Sequence, residues 1–167
     1  YTSKLFKLPI VISRFSNIYG PGQLNFTALI PDAITSCINK KLFKMRGNGE
    51  AIRDFVHIDD IVDVYKLLSE KLYMSPVKYS GEIFNAGTNS PKKIKDVVKQ
   101  IYLFKKKFKE YKSIVKNIKK NRTQGEISVQ FMDYKKLYKY FKWKPKKNFE
   151  KSLPSLFKWY ENYLKNN

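Results

Sequence analysis

The sequence predicts an α/β fold. Short β-branched runs alternate along it with stretches whose apolar residues recur at helical spacing. The joints between them are rich in Gly, Pro, Asn and Asp, the residues that turn a chain. With 43% hydrophobic and 16% aromatic residues over 167 positions, a packed core of one domain's size is within reach.

The elements follow in order. Ile10-Val11-Ile12 reads as a buried strand that opens at its carboxyl end into Arg14 to Tyr19, and Gly20-Pro21-Gly22 forces a turn. In open α/β sheets this end of a parallel strand is where ligands sit. Thr27 reads as the cap of a helix with Pro31 in its first turn and Leu29, Ile30, Ala33, Ile34 and Ile38 as its apolar stripe. Residues 42–45 read as a short strand before the Gly47-Asn48-Gly49 turn, and residues 53–58 as another. Asp59 and Asp60 open a helix to about Tyr73, with Ile61, Val64, Leu67 and Leu68 inward. Residues 81–87 form a strand and small-residue turn. Ser90 then caps a helix with Pro91 at its first position and Ile94, Val97, Val98 and Ile101 on one face. Residues 105–124 are basic and weakly periodic. Residues 128–131 read as a strand, Asp133 as the cap of a helix to Phe141, Trp143-Lys144-Pro145 as its break, and residues 149–164 as the last helix.

Composition excludes several classes. One Cys leaves no disulfide framework, and one His with one Cys leaves no His/Cys zinc site. No apolar run approaches the roughly 20 residues that span a bilayer. The first ten residues carry Lys4 and Lys7 rather than a leader's apolar stretch, so a reducing, cytoplasmic setting without membrane is expected. Lys and Arg number 34 against 14 Asp and Glu, a net charge of +20. Only Arg14, Arg46, Arg53 and Arg122 are arginines, so the excess is a lysine bias on exposed positions. That argues against specific nucleic-acid recognition and leaves weak adhesion to polyanions.

Three segments carry a resemblance: Arg14-Phe15-Ser16-Asn17-Ile18-Tyr19-Gly20-Pro21-Gly22, residues 49–60 around Arg53-Asp54-Phe55-Val56-His57, and Gly81-Glu82-Ile83-Phe84-Asn85-Ala86-Gly87. With the ending Asp133-Tyr134 to Leu137, then Trp143-Lys144-Pro145 and Trp159-Tyr160, they resemble the C-terminal half of an extended short-chain dehydrogenase/reductase, the NAD-dependent epimerase/dehydratase group. Gly20 to Phe26 followed by Leu29-Ile30-Pro31, and Gly125-Glu126-Ile127 with Gln130 and Asp133, are most similar to the CDP-glucose 4,6-dehydratase subfamily, with Gln23 where that pattern has an acidic residue.

The resemblance implies the last strands of a Rossmann-type sheet plus the smaller α/β substrate-binding domain, one partial unit over residues 1–167. It implies NAD as cofactor, a nucleotide-sugar substrate, and a homodimer for the intact enzyme. By the same resemblance, the family's glycine-rich turn and catalytic Tyr-x-x-x-Lys are expected to precede the first residue of this sequence. Tyr1-Thr2-Ser3-Lys4 is one residue short of that spacing and reads as the end of a helix. The chain is therefore expected to be inactive alone, with no catalytic or metal-binding residue of its own and an N-terminal half possibly on another chain.

By resemblance, Asn17 lies near the sugar and diphosphate, Asn25 faces the diphosphate, and Arg53 grips it with its guanidinium fork. Asn85 sits at a strand end, Arg122 meets phosphate, Glu126 accepts ribose hydroxyls, and Ser16 borders the nicotinamide. Each has a plainer reading. Asn17 and Asn85 are turn residues, Asn25 is a helix cap, Arg53 is a surface partner of Asp54, and Ser16 is structural. Asp54 orders local backbone, His57 packs in a strand, Cys37 is a buried small residue, and Trp143 and Trp159 are core. A sugar-nucleotide 4-epimerase or reductase shares the same wall. A nonenzymatic basic binding module on a relic fold is the reading from another class.

Overall fold

A computed structural model describes residues 5, 6, 8–118 and 125–167. The readings made for Tyr1 to Lys4, Lys7 and Arg122 lie outside them. The chain divides into two compact units. The first holds the described residues up to Ile18, with Asp54–Ser90 and Phe131–Lys147; the second holds Tyr19–Arg53, Pro91–Gln130 and Asn148–Asn167.

In the first unit β1 (Ile12–Phe15) lies parallel to β5 (Ile83–Ala86), with Ile12 opposite Ile83 and Arg14 opposite Asn85. The first strand runs two residues later than its β-branched run suggests. Ile10 still accepts from the Gly81 N–H, so the run enters the ladder at its edge. β2 (Asn17–Tyr19) pairs with β4 (Phe55–His57). Helix α2 (Ile58–Met74) buries Ile61, Val64 and Leu68 and carries Asp59 and Asp60 in its first turn and Lys71 in its last, each matched to the helix dipole. After the single turn α3 (Pro76–Tyr79), β5 brings Phe84 and Ala86 onto Val64 and Leu68. Leu137, from α6 (Lys135–Phe141), and Trp143 close this core. Burying each such aliphatic or aromatic side chain stabilises by about 1.5–3 kcal/mol.

The carboxylate of Asp60 is buried and accepts the Lys146 and Lys147 N–H groups at 3.0 and 3.1 Å. That bond pair fixes the segment that Pro145 was expected only to break.

The second unit is built on a three-stranded sheet in the order β6 (Lys92–Lys93), β3 (Ile52–Arg53), β7 (Val129–Gln130). The central strand is antiparallel to β6 and parallel to β7. Helices α1 (Leu29–Ile38), α4 (Ile94–Phe104), α5 (Phe108–Lys116) and α7 (Phe149–Asn166) complete it, burying Ile34, Val98, Ile101, Ile114, Leu156 and Tyr160 among others.

Four expectations change here. Residues 42–45 form no ladder. Phe43 and Met45 are buried and Leu42 and Lys44 exposed, so the strand-like alternation is real but has no pairing partner. Thr27 does not cap α1: Ala28 is its N-cap, and the Thr27 hydroxyl donates to Asn25 Oδ1 at 2.8 Å. Helix α4 begins at Ile94 rather than Pro91, because Lys92 and Lys93 are drawn into the sheet. Trp159 is half-buried, stacked on Tyr163 at 5.2 Å, whereas Trp143 is core. No described helix is long and apolar enough to cross a membrane.

Candidate functional site

Two clusters concern the residues singled out by sequence, one in each unit. In the first, the loops leaving β1 and β5 meet the carboxylate of Asp54, which is buried. Ser16 Oγ donates to Oδ2 at 2.8 Å, the Thr88 N–H donates to the same oxygen at 2.7 Å, and the Thr88 hydroxyl donates to Oδ1. The Asp54 carbonyl takes both the backbone N–H and the side-chain amide of Asn17, each at 3.0 Å. Gly87 is obligatory beside this knot: a Cβ there would stand 1.9 Å from the Met132 carbonyl oxygen and 2.4 Å from Asp54 Oδ2.

The predicted backbone-ordering role of Asp54 is therefore built from three donors supplied by two strand ends. Among the described residues the exposed Asn17 keeps one amide hydrogen and its side-chain carbonyl oxygen uncommitted. Ser16 keeps its lone pairs. Asn85 is exposed on β5, level with exposed Arg14, a cation that sequence reasoning passed over.

In the second unit the structure brings Arg53 and Glu126 together. Arg53 Nη2 stands 3.9 Å from Glu126 Oε1, with both side chains about 15% exposed (15% and 16%), while Nη1 donates to the Ile52 carbonyl at 2.9 Å. Arg53 thus pairs with Glu126 and not with its neighbour Asp54. At 3.9 Å the contact is an ion pair without a tight hydrogen bond, so the outer guanidinium edge is open to a better acceptor.

Glu126 also lines a cavity of about 220 Å³. Leu29, Phe43 and Ile94 supply its apolar wall; Asp32 and Glu126 supply carboxylates; Lys44 and Arg46 supply cations. Asn25 is joined to this lining through Thr27, whose N–H and hydroxyl its Oδ1 accepts in an Asx turn. Sequence reasoning missed Arg46, Asp32 and Phe43. The scarcity of arginine was the signal that could have found Arg46 in Met45-Arg46-Gly47.

His57 is buried, with Nδ1 accepting the Asp59 N–H at 3.1 Å as the cap of α2. Cys37 is buried and its thiol is pushed up by burial, as expected of a packing residue. Glu50, ahead of β3, is gripped by Lys93 and Lys95, whose hydrogen bonds bring its carboxyl down to about 2.

The parallel β1–β5 pair and the small sheet carrying Arg53 make a Rossmann-like α/β fold. Residues 2–156 match the family described as GDP-mannose 4,6 dehydratase, and the chain belongs to that family. It is 36% identical over 98 residues to the dTDP-D-glucose 4,6-dehydratase of Dictyostelium discoideum, covering 59% of this chain and 21% of that protein. To the dTDP-glucose 4,6-dehydratase of Haemophilus influenzae it is 28% identical over 165 residues, 94% of this chain and 46% of the relative.

Among solved structures it superposes on Bacillus anthracis dTDP-glucose 4,6-dehydratase in complex with NAD with a TM-score of 0.75 and 29% identity, covering 96% and 47% of the two chains. The UDP-glucuronic acid 4-epimerase of Bacillus cereus, at 21% identity and a TM-score of 0.78, shares the fold over 96% and 48%. The chain spans half or less of the length of each of these proteins.

Proposed function

We propose that the chain is the substrate-binding half of an NAD-dependent sugar-nucleotide 4,6-dehydratase, of the CDP-glucose type, in which the second unit holds the nucleoside diphosphate. The observation that carries this reading is the Arg53–Glu126 pair, whose Glu126 lines the mixed-polarity cavity. On ligand entry the diphosphate takes the guanidinium fork of Arg53, Glu126 turns to the ribose hydroxyls, and the base lies against Leu29, Phe43 and Ile94. Within the second unit Arg122 and Asn25 are the further diphosphate contacts of this reading; in the first unit Asn17 and Asn85 are its candidate sugar contacts.

The described residues do not by themselves fit a dinucleotide. Gly87 is packed against Met132 and Asp54, and the Ser16 proton is committed to Asp54. NAD, which supplies hydride transfer in such an enzyme, therefore belongs to the intact protein, with the lone pairs of Ser16 as this chain's contribution. The catalytic pair comes from an N-terminal half on the same or another chain. The chain alone turns over no substrate, and the complete enzyme is a cytoplasmic homodimer. A 4-epimerase of the same family would use the same wall.

Calorimetric titration of CDP, dTDP, UDP and CDP-glucose tests the reading. A charge-assisted hydrogen bond contributes about 1.5–3 kcal/mol, and about 1.4 kcal/mol is tenfold in dissociation constant. Arg53→Ala should therefore weaken nucleoside diphosphate and sugar nucleotide alike by roughly ten- to a hundredfold. Lys66→Ala, on the exposed face of α2, should change little. Equal losses in the two variants would mean diffuse electrostatics, and the phosphate-clamp reading would fail.

A further inference from the structure

A second cavity in the same unit has no part in the site above. It lies between the C-terminal end of α1, residues 40–43, α4 and α5, and measures about 170 Å³. A cavity of about 150 Å³ is large enough to take benzene. Its deep wall is Cys37, Phe43, Tyr102 and Ile114, all buried. Its mouth carries exposed Lys40, Lys41 and Glu110, and Lys107 reaches from the α4–α5 junction to donate to the Cys37 carbonyl. Three ammonium groups against one carboxylate leave the lining cationic.

Tyr102 carries the argument further. It is 1% exposed, it lines this cavity, and its hydroxyl has no hydrogen-bond partner among the described residues. Leaving a buried hydroxyl unpaired is destabilising, so this one is a donor awaiting an acceptor. Burial pushes the phenol up, which keeps the proton in place to be donated. An acceptor that brings negative charge gains from Lys40 and Lys41 as well, and one with an apolar ring covers Phe43 and Ile114.

We propose that this cavity is a binding site for a small organic anion, a single-ring carboxylate in size, whose carboxylate accepts from the Tyr102 hydroxyl and faces the lysines of the mouth. It is separate from the nucleotide cavity, sharing with it only the Phe43 wall.

Benzoate is the probe, titrated into the 167-residue chain by calorimetry and two-dimensional NMR. The expected result is saturable binding with a dissociation constant of about 1 mM or below, with shifts at Cys37, Phe43 and Ile114. Tyr102→Phe keeps the ring and removes the donor, and should weaken benzoate about ten- to a hundredfold, the worth of one hydrogen bond to a charged acceptor. Without ligand the same variant should melt higher than the parent, because an unpaired buried hydroxyl is gone. Leu42→Trp, at an exposed mouth position, should block binding outright. Arg53→Ala should leave benzoate unaffected, which separates this site from the nucleotide reading.

No saturable benzoate binding would overturn the proposal. So would undiminished binding to Tyr102→Phe, a lower melting temperature for that variant, or equal affinity for the neutral isostere benzamide. Displacement of benzoate by equimolar inorganic phosphate would reduce the site to a patch of surface charge.

Discussion

Asp54 holds the first unit's loops through its side chain and carbonyl together. Its two carboxylate oxygens receive only donors, from Ser16 and Thr88. Asp54→Asn puts an amide hydrogen against one of those donors. It should therefore destabilise by about 1.5–3 kcal/mol, the range for hydrogen bonds to a charged group, as read by urea unfolding. Ser16→Ala should cost less, since Thr88 remains; a neutral Asp54→Asn would show that the carboxylate is not the anchor. A second feature is the set of left-handed residues that are not glycine: Lys40, Asn89, Lys106 and Lys142, each with φ between 53° and 57°. Lys106 and Lys107 close α4 by donating to the Leu103 and Tyr102 carbonyls, a helix end that glycine suits best. Lys106→Gly should raise stability by about 1 kcal/mol, since a side chain in this conformation costs roughly that much, measured as a shift of the urea midpoint at unchanged slope. The sequence disclosed Arg53 as a candidate through the family resemblance of its Arg53-Asp54-Phe55 segment. It did not disclose that Glu126 would be the partner, since the contact joins residues far apart in the chain.

Helix α2 shows how an element's end is set by a residue whose type gives little warning. His57 was expected to pack, and it does so while also accepting the Asp59 N–H through Nδ1. That bond requires the neutral ring, and burial holds the imidazole below its ordinary value despite the nearby Asp59 and Asp60 carboxylates. With the folded value lowered, the cap's stability is fully present above the unfolded value near 6.5. It is lost as pH falls from there toward the lowered folded value. His57→Asn keeps a capping oxygen and removes the titration, so its stability should be flat between about pH 7 and 5 where the parent declines. A parent curve already flat over that span would refute this. The helices were legible because their apolar spacing is local, whereas the predicted caps Thr27, Ser90 and Asp133 gave way to Ala28, Lys93 and Tyr134. The strand expected at residues 42–45 was not realised, because a ladder needs a neighbour and none pairs there.

At the scale of the molecule, β1 is paired among the described residues with β5 alone, and Ile12 is 44% exposed. A strand edge flanked by exposed apolar side chains associates with another copy. Sedimentation velocity on the 167-residue chain should show mass rising with concentration, and Ile12→Lys should suppress the rise. A monodisperse monomer with a sharp two-state melt would count against it. The net charge of +20 keeps such a chain soluble at low concentration without blocking a local strand contact.

The α/β class, the helices, the Gly-Pro-Gly turn, the family resemblance and the rank of Arg53 were all present in the sequence by itself. Each rests on spacing, composition or a motif read within a few residues. The tertiary structure alone decided that Arg53 faces Glu126 instead of Asp54. It also gathered Ser16 and Thr88 onto one carboxylate and left the Tyr102 hydroxyl buried beside a cavity. Those facts depend on which distant segments are brought within about 3–4 Å of each other, and hydrogen bonds and ion pairs act only at that range.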